Sequence, residues 1–210
     1  MRIGKIVIVG GGTAGWMAAA ALSRLKTGSV LDIQLIESEQ IGTVGVGEAT
    51  IPPFVEFNRL LDIDESTLLA AVQGTFKVGI QFENWGKIGD SYIHPFGNYG
   101  YELGGISFHQ VWRKLRQEGD KRPIQAFNLE TMAAYFGKFA RTANYQREDL
   151  PPMNYAYHIN ATAYAQFLRK DAEARGVVRR EGKVIDVSLD AETGNVSSVT
   201  MDDKDVIHGD

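Results

Sequence analysis

Lys5-Ile-Val-Ile-Val9 is an unbroken β-branched run, the pattern of a parallel strand buried on both faces. Thr13 to Lys26 then sets Trp16, Met17, Ala20, Ala21, Leu22 and Leu25 at helical spacing, with Gly28 at the C-cap position. Asp32 to Ile36 repeats the strand pattern, so the segment spells a βαβ unit with a right-handed crossover and a parallel sheet. Pro52-Pro53 opens a helix to about Leu61, since proline is tolerated in a first turn, and a short helix follows from Ser66 to Val72. Phe76 to Glu83 alternates strictly and predicts one strand. Phe76, Val78, Ile80 and Phe82 form its apolar face, and Lys77, Gly79, Gln81 and Glu83 form the other.

From Asn84 to Gly105 the periodicity dissolves among glycines and the aromatics Trp85, Tyr92, Phe96, Tyr99 and Tyr101, which reads as a functional loop. Helices are predicted over Phe108 to Gln117 and Leu129 to Phe139. After Pro151-Pro152 comes a strand, Tyr155 to Ile159, and Asn160 N-caps a helix through Arg175 that Gly176 ends. Val177 to Ile207 is a run of short strands turning at Thr193-Gly-Asn195. The expected class is α/β: a Rossmann-type nucleotide-binding domain over residues 1–210, interrupted by a helical and loop segment at about 76–155 and followed by a β-meander. Val206 to Asp210 reads as the approach to a further sheet strand, so the chain is expected to stop within the domain.

Charge and composition exclude more than they assign. With 22 Lys+Arg against 26 Asp+Glu, a net charge of −4 gives no electrostatic reason for nucleic acid or an anionic membrane as partner. The absence of Cys removes disulfides, thiolate metal sites and thiol catalysis, so any redox chemistry requires a bound cofactor. The histidines His109, His158 and His208 lack ligand spacing, and no metal site is expected. No apolar stretch approaches a membrane span, and a cytoplasmic protein is the expectation.

Gly10-Gly-Gly12-Thr-Ala-Gly15 matches G-x-G-x-x-G between a strand and a helix. In that pattern Gly10 permits the tight turn, Gly12 lets a pyrophosphate approach the backbone, and Gly15 lets helix and strand pack closely. A diphosphate would lie at the helix N-terminus, where free N–H groups and the helix dipole favour an anion. Glu37 closes the second strand 22 residues after Gly15, the position of a ribose-binding carboxylate. It also repels a 2′-phosphate. The fingerprint alone does not separate FAD from NAD, although its position at the start of the chain and the strand-rich tail favour a flavoprotein.

Val44-Gly-Val-Gly-Glu-Ala-Thr-Ile-Pro-Pro53 resembles the loop over the flavin in the flavin-dependent tryptophan halogenase family, as does Gly15-Trp16. Phe76-Lys-Val-Gly-Ile-Gln-Phe-Glu-Asn-Trp85, His94-Pro-Phe96 and Tyr157-His-Ile-Asn160 match the same family in order, so the resemblance spans the whole chain. It implies an enzyme that uses FADH2 supplied by a separate flavin reductase, with O2 and a halide ion, to chlorinate or brominate an electron-rich aromatic such as tryptophan or indole. Hypohalous acid would be held by Lys77, the implied catalytic residue, with His94 and Phe96 binding the small aromatic substrate. FAD would be held by Gly10, Gly12, Thr13, Ala14, Gly15, Trp16, Glu37 and Ala49, with Val184 a backbone contact to the adenine. A homodimer is a further possibility. On alternation alone Lys77 reads more readily as a solvated lysine on a half-exposed strand, and His94 equally as a loop histidine bonded to backbone. The family's Trp-x-Trp-x-Ile-Pro sequence and the glutamate paired with its lysine have no match here, and both normally lie beyond this segment, as does the C-terminal substrate-binding part. The alternatives are an FAD-dependent aromatic hydroxylase, which needs no such lysine, and a non-catalytic flavin-binding module.

Overall fold

The computed structural model describes residues 3–25, 31–41, 46–141 and 151–210. The expected cap Gly28, Lys26 and the first two residues of the Val44 motif lie outside them. The chain divides into two compact units, residues 1–48, 58–74 and 159–210 in the first and residues 49–57 and 75–158 in the second.

The first unit is built on a parallel sheet. Strands β1 (Lys5–Val9) and β2 (Asp32–Glu37) pair in register from Lys5↔Asp32 to Val9↔Ile36, joined by helix α1 (Thr13–Arg24). Strand β3 (Gly47–Ala49) and helix α2 (Pro52–Leu60) have residues in both units, and helix α3 (Glu65–Val72) of the first is N-capped by the Asp64 carboxylate, which accepts from the Thr67 N–H. Ile33, Leu35 and Ile36 of β2 are buried, and so are Trp16, Ala19 and Ala20 of α1.

One element of the tail differs from a plain meander. The strand directly after Gly176, Val178–Glu181, pairs parallel with β2 from Gln34↔Val178 to Glu37↔Glu181, so it extends the nucleotide-binding sheet. Only the remaining strands, Val184–Leu189, Val196–Met201 and Val206–His208, form an antiparallel sheet, with the middle one at its centre. Period-2 patterning is the same for parallel and antiparallel partners, which is why the sequence did not separate them. Val199, Met201 and Ile207 of the antiparallel sheet pack with Ile36 and Val7 of the parallel one. Beyond the last strand the Asp210 N–H donates to the Lys5 carbonyl at 3.0 Å, and its carboxylate accepts from the Gly4 and Lys5 N–H groups. Those two bonds hold the Asp210 carboxyl below its usual pKa.

The second unit corrects the single strand predicted over Phe76 to Glu83. The chain breaks at Val78 into β4 (Thr75–Lys77) and β5 (Gly79–Glu83). The first pairs antiparallel with Ala156–Asn160, and the second pairs with β6 (Ser91–Pro95). A change of pairing partner leaves the alternation untouched, so the pattern could not reveal it. Gly79 serves the switch, because a Cβ there would lie 2.7 Å from the His94 carbonyl oxygen on β6. Strand β6 also replaces part of the loop expected from Asn84 to Gly105.

Helix α4 (Phe108–Gln117) lies where expected, whereas α5 (Leu129–Tyr135) ends before Phe139. Phe139 instead stacks on Phe76 with ring centroids 4.0 Å apart, beside Tyr155. That aromatic contact outweighs the extra turn of helix that its spacing suggested. We number the remaining elements in chain order: β7 is Ala156–Asn160, α6 is Ala161–Ala174, β8 is Val178–Glu181, and β9, β10 and β11 are Val184–Leu189, Val196–Met201 and Val206–His208. Asn160 caps α6 as expected, its side chain accepting from the Ala163 N–H. Within the first unit α6 packs on α1, and Arg24 binds Asp171 at 2.7 Å and the Leu61 carbonyl.

The end of β6 is braced from below. Asn128 donates to the Gly97 and Asn98 carbonyls at 3.1 and 3.0 Å, and the buried Glu130 carboxylate accepts from the Asn154 N–H at 2.9 Å. A Cβ on Gly97 would meet that carboxylate at 2.0 Å. Gly97→Ala is therefore expected to destabilise the fold by about 1–3 kcal/mol, read as a lowered Tm in thermal unfolding.

Candidate functional site

The turn between β1 and α1 owes its shape to three glycines with different tasks. Gly10 has φ +112°, a region that side-chain-bearing residues avoid, and its N–H donates to the Ile36 carbonyl at 2.8 Å. At Gly15 a Cβ would stand 1.9 Å from the Gly10 carbonyl oxygen, so helix and turn are in contact there. Gly12 is ordinary in both respects: its φ is −73°, and nothing lies within 4 Å of where its Cβ would be. It N-caps α1 with no side-chain cap bond, and the first turn carries no acid. The N–H groups of Thr13, Ala14 and Gly15 therefore meet no capping side chain, and no acid of the first turn itself stands beside them, which suits an anion.

This turn faces a cleft of about 620 Å³ that also takes in Glu37, Arg169 and Val184. Glu37 is oriented from several sides. Its Oε1 accepts from Arg179 Nε and, at 3.3 Å, from Arg169, while Oε2 accepts from the Trp16 indole N–H at 3.2 Å. The carboxylate lies against Gly11, where a Cβ would be 1.5 Å from Oε2. Trp16 is only 1% exposed; it lines the cleft, and its indole N–H holds Glu37. Arg169 and Arg179 were not singled out from sequence, since they reach Glu37 from 132 and 142 residues away. The register Leu35↔Arg179 is what sets Arg179 beside it. The residues present fit a dinucleotide: an open glycine and a fixed carboxylate line one cleft, and the uncapped first turn of α1 directly follows that glycine. Ala49 is not among them and lies exposed in the second unit.

In the second unit the structure decides the environment of Lys77. It is buried, 8% exposed, and not on a solvated face. Its Nζ donates to the Thr50 carbonyl at 2.8 Å and lies 5.3 Å from the centre of the Phe96 ring. Among the described residues no carboxylate pairs with it, and burial pushes the amine below its ordinary pKa of 10.5. Between the lowered value and 10.5 the unfolded chain binds more protons at Lys77 than the folded one, so this residue makes stability rise with pH across that window. The expected observation is a pH midpoint for amine labelling of Lys77 below 10.5, measured by peptide mapping. His94 is exposed on β6 and Phe96 half-buried just past it, while the neighbours Ile93 and Pro95 point inward. The structure thus brings Lys77 and Phe96 together. Thr50, the lysine's acceptor, was not assigned a role from sequence, although it sits within the Val44 to Pro53 motif.

A parallel βαβ unit with this glycine turn and an acid closing the second strand defines a dinucleotide-binding α/β protein. The tryptophan halogenase family model matches residues 5–210, and the chain belongs to that family. It is similar to 7-chloro-L-tryptophan 6-halogenase KtzR of Kutzneria sp., with 34% identity over 98% of this chain and 43% of that protein. Tryptophan 7-halogenase RebH of Lentzea aerocolonigenes is 36% identical over 94% of this chain and 39% of its own. Among solved structures, Xcc4156, a flavin-dependent halogenase from Xanthomonas campestris, matches with a TM-score of 0.91 and 48% identity over 100% of this chain and 41% of that one. The chain spans about two fifths of the length of these relatives. No helix among the described residues is long and apolar enough to cross a membrane.

Proposed function

We propose that the protein to which this chain belongs is an FAD-dependent halogenase of electron-rich aromatics such as tryptophan or indole. The observation that carries the reading is Lys77, a buried amine held by one backbone carbonyl beside an aromatic ring, with no carboxylate partner among the described residues. In the first unit the Thr13 to Gly15 N–H groups would take the diphosphate, Glu37 the ribose, and Val184 the adenine edge. Bound reduced FAD, supplied by a separate flavin reductase, provides the electrons with which O2 and a halide ion give hypohalous acid.

Lys77 acts on that acid. Its Nζ–H donates to the oxygen, which weakens the oxygen–halogen bond as the halogen passes to a ring carbon. The displaced oxygen leaves with the ring proton as water, so hypohalous acid and an aromatic C–H give a carbon–halogen bond and H2O. Phe96 offers a flat apolar face on which an indole would stack, and the exposed His94, two residues earlier, would meet the same substrate. Burial suits the lysine to this work, because an amine whose charged form is disfavoured is closer to its nucleophilic state at neutral pH.

The test is an assay of the full-length protein with FAD, a flavin reductase, and chloride or bromide, given tryptophan or indole and read by mass spectrometry. Halogenated product is expected. Hydroxylated product that forms without halide would favour the aromatic hydroxylase, and absence of flavin absorbance in the purified protein would favour neither enzyme.

A further inference from the structure

Lys77 is a long side chain whose tip is fixed as firmly as its root, and both are referred to the same strand. At the root, β4 pairs with β7 so that Phe76 lies opposite Tyr157 and Lys77 opposite Ala156. At the tip, Nζ donates to the Thr50 carbonyl. Thr50 is itself bound to Tyr157 on β7: its N–H and its hydroxyl both donate to the Tyr157 carbonyl at 2.9 Å, and its Oγ1 accepts from the Tyr157 N–H at 2.9 Å. Tyr157 is 1% exposed, so none of these partners is readily replaced by water.

We propose that Thr50 is a positioning residue for Lys77, its hydroxyl clamping it to the Tyr157 backbone so that its carbonyl presents a fixed acceptor to Nζ. The inference deepens the reading of Lys77 given above and rests on it for its catalytic consequence. The choice of residue follows from the task. A hydroxyl donates to a carbonyl and accepts from an N–H of the same residue through one atom, and β-branching restricts χ1 to few rotamers. Valine keeps the shape and loses both bonds, while serine keeps both bonds with a looser rotor. The acceptor is a neutral carbonyl, so it orients the amine without neutralising it, and the remaining Nζ valences stay available to a halogen species.

The experiment uses the full-length protein with trace acetic anhydride as probe and peptide mapping as readout, comparing Lys77 with Lys87, whose side chain is 81% exposed. In the parent, Lys77 is expected to acetylate several-fold more slowly than Lys87. Thr50→Val is expected to raise the Lys77 rate towards that of Lys87, and Thr50→Ser to leave it near the parent value. Halogenated product should fall about 10- to 100-fold in Thr50→Val and return to within about threefold of the parent in Thr50→Ser, as expected when a reacting group loses its geometry. Equal labelling of Lys77 and Lys87 in the parent overturns the clamp before any variant is made. Unchanged Lys77 labelling in a folded Thr50→Val overturns it too, and if that protein does not fold, Thr50→Ala is read in the same way. Should halogenation survive Lys77→Met while labelling still follows Thr50, the reaction assigned to the lysine fails and the clamp stands.

Discussion

Lys77→Met in the full-length protein is expected to lower the yield of halogenated aromatic by about 10²- to 10⁴-fold, the usual worth of a positioned proton donor or nucleophile. Methionine fills a similar volume without the amine, so the pocket formed by Thr50 and the Phe96 ring should stay packed. Removing a buried amine whose charged form is disfavoured should also leave the Tm at neutral pH no lower than the parent's. The pairing of lost product with undiminished Tm is the signature to look for. A large fall in Tm would assign the lysine a structural task instead.

The glycine turn gives the second large effect, because its glycines separate fold from ligand. Gly12→Val places a side chain where nothing lies within 4 Å, at an ordinary φ of −73°. Its melting should match the parent's, while FAD affinity should fall on the order of 10²-fold as the side chain keeps the diphosphate from the first-turn N–H groups. Gly15→Ala is the converse. Its Cβ would stand 1.9 Å from a backbone oxygen, and backbone yields less than a side chain, so about 3 kcal/mol or more of stability should be lost. Fluorescence titration of FAD beside thermal unfolding checks both variants. Unchanged FAD affinity in Gly12→Val would remove the diphosphate from this turn.

What the sequence made legible was local. The βαβ unit, the Asn160 cap and the glycine turn depend on residues within a few positions of one another, and each was found where the pattern set it. Partnership across long separations was not legible. Val178–Glu181 reads as one more short strand until its register with β2 is known, and the break at Val78 is silent because alternation persists through a change of partner. The same limit governs the candidate site. Gly12, Glu37 and Lys77 were readable as motif positions, but Arg169, Arg179 and Thr50 matter through what they touch, which only the fold determines. Lys77 is the sharpest instance: alternation left it on a polar face, and the fold buries it against the carbonyl of a residue 27 positions earlier while Gln81 and Glu83 stay exposed.

The break at Val78 has a consequence for how such a protein diversifies. Lys77 is carried by β4 on β7, whereas Phe96 follows β6, whose partner is β5. The amine and the ring that face each other across 5.3 Å therefore hang from separate sheets joined at a single residue. On the function proposed above, substitutions in the β5–β6 hairpin, at Trp85 or in the Asn84 to Asp90 turn, would act on the platform offered to an aromatic guest while the lysine keeps its own anchorage. Selection would then retune which molecule is accepted without reopening the chemistry, and a panel of hairpin variants should differ in preferred aromatic more than in the reactivity of Lys77.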